Sequence, residues 1–562
     1  MGSARSWGPS HQNIEPPFER RSRPVAGLLI GVPLLFLFAQ FMRFAVGMGG
    51  GNLFAWTIRA VIVLVVLRLG LMLVMSVLTR SPRPRVTPAP RRAPLRPPSL
   101  DRPAGADTPA RPKGVSQGTR AREGIMRLGG GAYLGSDEHG GWVSADPQSA
   151  VMVLGPPRSG KTSAVMIPAL MSAPGPVLST STKTDVIHAT LPARSEIGQA
   201  WLFDPAGDET TIFDGEVRRL CWSPVAAAET WDQALVMARA MAACTRTGRG
   251  TTNENHWTER AGALLAPLLY AAHQADRPVG EVLHWTLRQD LTQPIAILTD
   301  ADSQIAADVL AGIERTDERE RSSIFSATAG VLAAYNADSV RAAASSPNFD
   351  PRKFIGSTDT IYITAPEHRQ ALCAPLIVGL LEQIRQAVYE HARTEPRAWP
   401  PMLWALDEIA NTAPIHDLPA LISQAGGQGL QVMIGLQDLS QARTRWGDAQ
   451  ADGLMSLFQT KLILSGIADT RTLESISISL GEYDRQTVSQ SIGVSEPQEW
   501  FATRTQNETV SYHTQRQRVL SPGEIAKLPH GRGLLLQGAD WQTIRLTRWY
   551  ESEPWRRIGA KN

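Results

Sequence analysis

Cysteine is scarce in this chain of 562 residues: Cys221, Cys244 and Cys373 are all there is, and no two of them have C-x-x-C spacing. This argues against a disulfide framework and a cysteine-based zinc site, and a reducing compartment suits the body of the protein. No internal repeat at a fixed period is evident, which counts against a solenoid. Basic charge is missing from most of the chain, although the formal net charge is +3. Residues 1–120 hold 17 Arg and Lys against four Asp and Glu, while the remainder holds 39 against 49. The basic excess thus belongs to the N-terminal segment, where it argues for a membrane-surface role. The body is not a generally basic nucleic-acid binder.

What is present begins with two long apolar stretches. Residues 25–42 carry no charge over 18 positions, enough to span a bilayer with little tilt. Residues 60–78 form a second stretch, interrupted by Arg68. A signal peptide would also start with basic residues such as Arg20, Arg21 and Arg23, but no clean small-residue cleavage site follows and a second span comes directly after. A two-helix transmembrane hairpin is the better reading. Arg68 snorkels, pairs within an oligomer or marks an off-centre helix; the sequence leaves these open. Arginines flank the outer ends of both spans and are absent from the short connection at 44–52, so the positive-inside rule places both termini in the cytoplasm of a bacterial inner membrane. Residues 81–112 hold ten prolines and form no packed core. They read as an extended spacer, whose arginines either rest on anionic headgroups or are simply solvated.

The body alternates strand-like and helical patterns, which predicts an α/β layer with a mainly parallel sheet. Strand candidates are VMVLG at 151–155, GPVLSTST at 175–182, AWLFDP at 200–205, DTIYITAP at 359–366, MLWAL at 402–406, LQVMIGL at 430–436 and KLILSGI at 461–467. Between 224 and 348 strand-like runs are scarce and helical spacing dominates, as in WDQALVMARAMAAC. A polar stretch there, GRGTTNENHW at 248–257, reads as an exposed connection, with a ligand or partner contact as the alternative. The tail from 518 reads as an acidic-capped helix start followed by a terminal hairpin.

The chemistry is announced at 155–162, GPPRSGKT. A glycine, four residues and Gly-Lys-Ser/Thr form a P-loop when a strand precedes and a helix follows, as the patterns here predict. Gly155 and Gly160 permit close approach of backbone to phosphate. The N–H groups of Gly155, Pro157's neighbours and the residues through Ser163 curl around phosphate oxygens at a helix N-terminus. The nucleotide-binding set is Gly155, Pro156, Pro157, Arg158, Ser159, Gly160, Lys161, Thr162 and Ser163. Lys161 reaches the β- and γ-phosphates and Thr162 holds Mg²⁺. Pro168 is expected to end or kink the first turns.

A second half-site follows Met402–Leu406, where Asp407 and Glu408 stand at the C-terminal end of a buried strand. That is the edge at which open α/β sheets bind ligands. Asp407 is a Mg²⁺ ligand through its water shell, and Glu408 is the residue that orients and activates the attacking water. Acidic residues at a helix N-terminus would look the same, but the upstream P-loop favours catalysis. Gln437, at the end of the next strand, reads as a γ-phosphate sensor, with a merely polar strand terminus as the alternative. Lys161 and Asp407 are 246 positions apart, far more than a βα unit of roughly 30 residues requires, so the helical module at 224–348 is an insertion.

Together these residues resemble the type IV secretion coupling proteins, the TraG/TraD-like conjugation ATPases related to FtsK-like DNA motors. DEIANTAPIHDLPALISQAGGQGLQVMIGLQDLSQ (407–441) and LSPGEIAKLPHGRGLLL (520–536) extend the resemblance, which covers about 140–550 and, by arrangement, the anchor. It implies a RecA-like P-loop fold with an inserted all-α domain, ATP and Mg²⁺ as cofactors, and a membrane-anchored homo-hexamer. It also implies partners: relaxase and relaxosome proteins, DNA or protein substrates, and components of a type IV secretion channel. The expected organisation is a cytoplasmic tail (1–24), a hairpin (25–80), a linker (81–119), a nucleotide-binding domain in two parts (120–223 and 349–562) and the all-α insertion (224–348), which faces substrate. Some relatives carry an arginine in the stretch matching SQAGGQG at 423–429; Gly426 and Gly427 lie here, so an arginine acting on a neighbouring subunit has to come from elsewhere, with Arg443, Arg445 and Arg471 as candidates. The connection between the spans is shorter than the family leads one to expect. An FtsK-like or type VII secretion motor, or a nucleotide-gated adaptor that pumps nothing, is the alternative; no winged helix, tandem nucleotide domain or LSGGQ-like signature is found. The acidic body makes DNA translocation a hypothesis.

Overall fold

The computed structural model describes residues 116–206, 213, 215–245, 252–395, 400–495 and 505–559. The two expected spans and most of the proline-rich spacer lie outside the described residues. The strands, in chain order, are β1 (Tyr133–Ser136), β2 (Trp142–Ser144), β3 (Val151–Leu154), β4 (Val177–Ser181), β5 (Ala200–Phe203), β6 (Val217–Arg219), β7 (Thr360–Thr364), β8 (Met402–Leu406), β9 (Leu430–Leu436), β10 (Thr460–Leu464), β11 (Glu482–Ser495), β12 (Thr505–Arg518), β13 (Arg532–Gln537) and β14 (Asp540–Arg545). One twelve-stranded sheet runs β2-β1-β14-β13-β10-β3-β9-β8-β4-β7-β5-β6. From β10 to β6 every neighbouring pair is parallel; from β10 outward through β13, β14, β1 and β2 the pairs are antiparallel. The fold is α/β with a large, mostly parallel sheet.

The continuous apolar runs have a direct cause. Successive side chains of a strand point to opposite faces, and both faces of this sheet are covered. Met152, Leu154, Trp404, Leu406, Val432 and Ile434 enter one core, whereas Val151, Val153, Leu403, Ala405 and Met433 enter the other. The first core also takes in Met237, Leu264, Leu310 and Phe325 from the helices between β6 and β7, and Leu380 and Ile384 from helix Gln370–Thr394. The second takes in Val165, Leu170, Ile187 and Ile125 from the helical segments after β3 and β4 and before β1. Helix Gln370–Thr394, with the short turn before it, is the one described segment long and apolar enough to cross a membrane; 67% of its apolar window is buried within the protein.

Eight α-helices of the described residues separate β6 from β7, from Trp231–Ala243 to Pro351–Ile355. The first begins at a capping box, with the Thr230 hydroxyl accepting from the Gln233 N–H and the Gln233 side chain returning to the Thr230 N–H. The polar stretch at 248–257 is less of a connection than its composition indicates, because helix Thr252–Gln274 starts inside it. Its first turn is Thr-Asn-Glu-Asn, residues that favour helix starts but carry no apolar face to betray one. Ser521 and Glu524 form the capping box that opens the tail helix, and β13–β14 is the terminal hairpin.

Sequence patterning misses the ribbon β11–β12, fourteen residues on each strand and paired only with itself. Its strands are polar and show no simple apolar alternation, which removes the signal on which a strand is ordinarily recognised. Helix Gln117–Arg127, capped by Ser116, starts three residues before Arg120.

Candidate nucleotide site

The P-loop joins β3 to a helical segment that starts as a π-turn at Lys161–Met166 and continues as α-helix at Ile167–Ser172. Gly160, just before it, has φ +104°. Arg158 also takes a left-handed conformation, φ +65°, a cost a non-glycine residue bears mainly at tight functional turns. A Cβ on Gly155 would stand 2.6 Å from Ser159 Oγ and 2.9 Å from Leu464 Cβ, so glycine is required there. The Lys161 ammonium donates to Gly155 O at 2.5 Å and to Pro156 O at 3.2 Å, lying across the loop. The side chain is buried. Burial pushes its amine below the ordinary lysine value, against the pull of the Asp407 and Glu408 carboxylates.

β8 delivers those carboxylates. It lies two strands from β3, with β9 between them. Thr162 Oγ1 donates to Asp407 Oδ2 at 2.6 Å. Thr180 Oγ1, on β4, donates to the Asp407 carbonyl at 3.2 Å, and the Glu408 N–H donates to Asp407 Oδ1 at 3.0 Å. Gly435 of β9 makes room for this carboxylate: a Cβ there would lie 2.6 Å from Asp407 Oδ1 and 2.7 Å from Met166 Cε. Glu408 itself is left-handed, φ +49° and ψ +43°, where the chain turns from β8 into the short helix Ile409–Thr412. Burial first, and then the neighbouring Asp407, raise its carboxyl above the ordinary glutamate value; Lys161 and Lys183 oppose the rise and Glu367 adds to it. Gln437 sits just past β9, and its N–H donates to Gln441 Oε1 at 2.9 Å.

The sequence-derived set is therefore brought to one edge of the sheet from chain segments far apart. The residues also fit a magnesium nucleotide. A hydroxyl and a carboxylate oxygen converge at Thr162 and Asp407, the hard donors that Mg²⁺ takes, and Ser159 Oγ is buried in the loop without a hydrogen-bond partner. Among the described residues no cluster of three or more His, Cys, Asp or Glu could hold a metal. Mg²⁺ held by one carboxylate and substrate phosphates needs no such cluster.

The arginine candidates are engaged within the chain. Arg443 pairs with Asp469, Arg445 donates to the Cys244 carbonyl in the helical module, and Arg471 bonds Asp452 at 2.6 Å and Asp448 at 3.4 Å. Gly426 lies at the N-terminal edge of β9, opposite the P-loop edge, and a Cβ there would meet Gln148 O at 1.8 Å; Gly427 faces open space. Thr180, Lys183, Glu367 and Gly435 belong to the site and carry no motif of their own. The polar end of the GPVLSTST strand is the signal for Thr180, because a ligand-binding edge ends its strands in polar residues.

The fold is similar to solved structures of bacterial conjugative coupling protein TrwB. The unbound monoclinic form of TrwBdeltaN70 matches with TM-score 0.54 at 18% identity, covering 78% of this chain and 94% of that one. The plasmid coupling protein TrwB in complex with ADP and Mg²⁺ matches with TM-score 0.53 at 18% identity, covering 75% and 91%. By sequence the chain is similar to Protein VirD4 of Rhizobium rhizogenes, 21% identical over 426 residues, 75% of this chain and 61% of that protein. It is likewise 21% identical over 435 residues to Protein VirD4 of Agrobacterium fabrum, 76% and 63%. The chain thus spans about three fifths of the length of these relatives. The family model described as Type IV secretory system Conjugative DNA transfer matches residues 116–559, and the chain belongs to that family.

Proposed function

We propose that this protein is a membrane-anchored ATPase that brings conjugative DNA, as a relaxase–DNA complex, or protein substrates to a type IV secretion channel and helps drive their transfer. The observation that carries the nucleotide half is the 2.6 Å contact between Thr162 and Asp407, with Lys161 and Glu408 at the same edge. Family membership and the description of TrwB as a coupling protein crystallised with ADP and Mg²⁺ support the transfer half.

In this reading the loop residues Gly155 to Ser163 and Lys161 hold the ATP phosphates. Thr162 and Asp407 hold Mg²⁺, which supplies charge neutralisation of the phosphates when bound. Glu408 accepts a proton from the attacking water, and its raised affinity for protons brings it closer to neutrality, where a general base works best. Gln437 senses the γ-phosphate. The two N-terminal spans fix the body to the cytoplasmic face of the inner membrane, the helical module between β6 and β7 faces substrate, and six copies form the working assembly.

The test uses the purified full-length chain and its mating or secretion host. Phosphate release from Mg–ATP is measured with and without single- and double-stranded DNA, beside transfer frequency. Activity lost in Lys161→Ala together with transfer supports the ATP-driven reading; transfer at wild-type frequency with that variant overturns it. Normal protein secretion with no DNA stimulation overturns the DNA half.

A further inference from the structure

The P-loop accounts for the phosphates but not for the rest of a nucleotide. The ribose and base must meet residues beside the first helical turn just beyond Thr162. One of the segments that reaches this turn comes from the far end of the sequence. The Trp549 N–H donates to the Ser163 carbonyl at 2.9 Å.

This bond has a cause written in the sequence. The π-turn closes with the Ile167 N–H on the Thr162 carbonyl, five residues back. The next donor in that ladder would serve Ser163, but the next residue is Pro168, which has no N–H. The Ser163 carbonyl is left for the Trp549 N–H. Trp549 is pinned besides by its ring: a Cβ on Gly559 would lie 2.6 Å from it and 2.8 Å from Met171 Cε, on the helix that the P-loop opens. Tyr550 follows, 43% exposed. Its ring stands edge-on to Trp549, centroids 5.7 Å apart at 83°. The Arg548 guanidinium donates to its hydroxyl at 3.0 Å and lies 3.8 Å from Glu551. An exposed aromatic ring is thereby held by a hydrogen bond next to a segment that is clamped to the P-loop.

We propose that Tyr550, clamped beside the P-loop through the Trp549–Ser163 bond and steadied by Arg548, is the stacking platform for the nucleobase. The proposal rests on the nucleotide-binding reading above and deepens it. Loop N–H groups cradle the α- and β-phosphates, so the ribose and base continue outward from the first turn. A π-face next to that exit accepts a purine without reading its edge, so selectivity among bases should be weak.

The experiment compares full-length wild type, Tyr550→Ala, Tyr550→Phe and Lys161→Ala. Binding of Mg–ATP and of Mg–inorganic triphosphate is measured by calorimetry, KM and kcat by phosphate release, and the site of covalent labelling by 8-azido-ATP through peptide mapping. Loss of one base–aromatic stack corresponds to about 5- to 150-fold in affinity. Tyr550→Ala should weaken ATP and raise KM by that factor, change kcat less than about threefold and leave triphosphate binding as it was. Tyr550→Phe, which keeps the ring, should bind ATP like wild type, and the azide should label the peptide containing Trp549 and Tyr550. Equal weakening of ATP and triphosphate in Tyr550→Ala, no weakening of either, failure of Tyr550→Phe to retain ATP, or labelling elsewhere overturns the proposal. Lys161→Ala tests the underlying reading separately: it should weaken both ligands, and ATP bound normally by that variant sinks the P-loop assignment whatever Tyr550 does.

Discussion

Thr162 Oγ1 and Asp407 Oδ2 lie 2.6 Å apart although 245 positions separate them in the chain. The bond crosses β9, which stands between the strand that ends in the P-loop and the strand that ends in Asp407. If both are Mg²⁺ ligands, removing either should cost catalysis far more than folding, because the hydroxyl and the carboxylate meet at the sheet edge. Thr162→Ala and Asp407→Asn are each expected to lower the rate of phosphate release by about 100-fold or more. Because they act on one ion, the double variant should lose little beyond the worse single variant. Additive losses would show that the two residues do not share a ligand.

Glu408 supplies a pH prediction. Burial and Asp407 raise its carboxyl above the ordinary value, so in the window from that value up to the raised one the folded protein binds more protons than the unfolded chain. Stability from this group is therefore present at the acid end and is lost as pH rises through the window. Glu408→Gln removes the charge, so its melting temperature should exceed that of wild type by a margin that grows as pH rises through this window and is level above it. The same variant should lose about 10²- to 10⁴-fold in hydrolysis while still binding ATP. Wild-type hydrolysis should have an acid limb centred above the ordinary glutamate range. A margin that shrinks as pH rises through the window would contradict the assignment.

The parallel strands around this site are legible in the sequence because burial on both faces turns each into an unbroken apolar run, as in VMVL, MLWAL and LQVMIGL. The P-loop and the Asp407–Glu408 pair stand out in the sequence because phosphate chemistry asks for these residue types at this spacing, and the structure sets both at one sheet edge. Strand order is a different matter. Nothing local in LQVMIGL says that it inserts between β3 and β8, since that follows from packing of the whole sheet. Left-handed Glu408 is equally silent, because no residue type announces a φ of +49° outside glycine and asparagine. The polar ribbon β11–β12 and the Trp549–Ser163 bond escape for one reason: both depend on backbone hydrogen bonds whose side chains carry no pattern.

Three glycines test the geometry of the two sheet edges. Gly435→Ala would drive a methyl into Asp407 Oδ1 and Met166 Cε, and Gly426→Ala would drive one into Gln148 O. Overpacking of this kind costs about 1–3 kcal/mol. Both variants should melt lower than wild type, yet only Gly435→Ala should also lower kcat in the folded fraction, because only it displaces a site carboxylate. Gly427→Ala meets nothing within 4 Å and should match wild type in both measurements. Thermal melts beside phosphate release separate the three, and a kcat defect in Gly426→Ala at full folding would refute the stated division between edges.

Arg194 holds the opposite end of the sheet together. It is 1% exposed, and its guanidinium donates to Thr360 Oγ1 at 2.7 Å, Ala173 O at 2.6 Å, Gly175 O at 2.8 Å and Thr358 O at 2.9 Å. These acceptors lie in the segments that lead into β4 and β7, so one side chain from helix Asp185–Ser195 ties two strand starts. Burial lowers its pKa to about 10, the mark of a cation taken out of water. Arg194→Met would remove the charge and leave buried carbonyls without donors, each at about 1–3 kcal/mol. Arg194→Lys would retain the charge but not the planar fork, and could not serve all four acceptors. Both variants should unfold at clearly lower temperature, with methionine the worse. Neither should alter KM for ATP in the fraction that remains folded, since the nucleotide edge lies at the other ends of β4 and β8. A rise in KM without a fall in melting temperature would place Arg194 in the binding site instead.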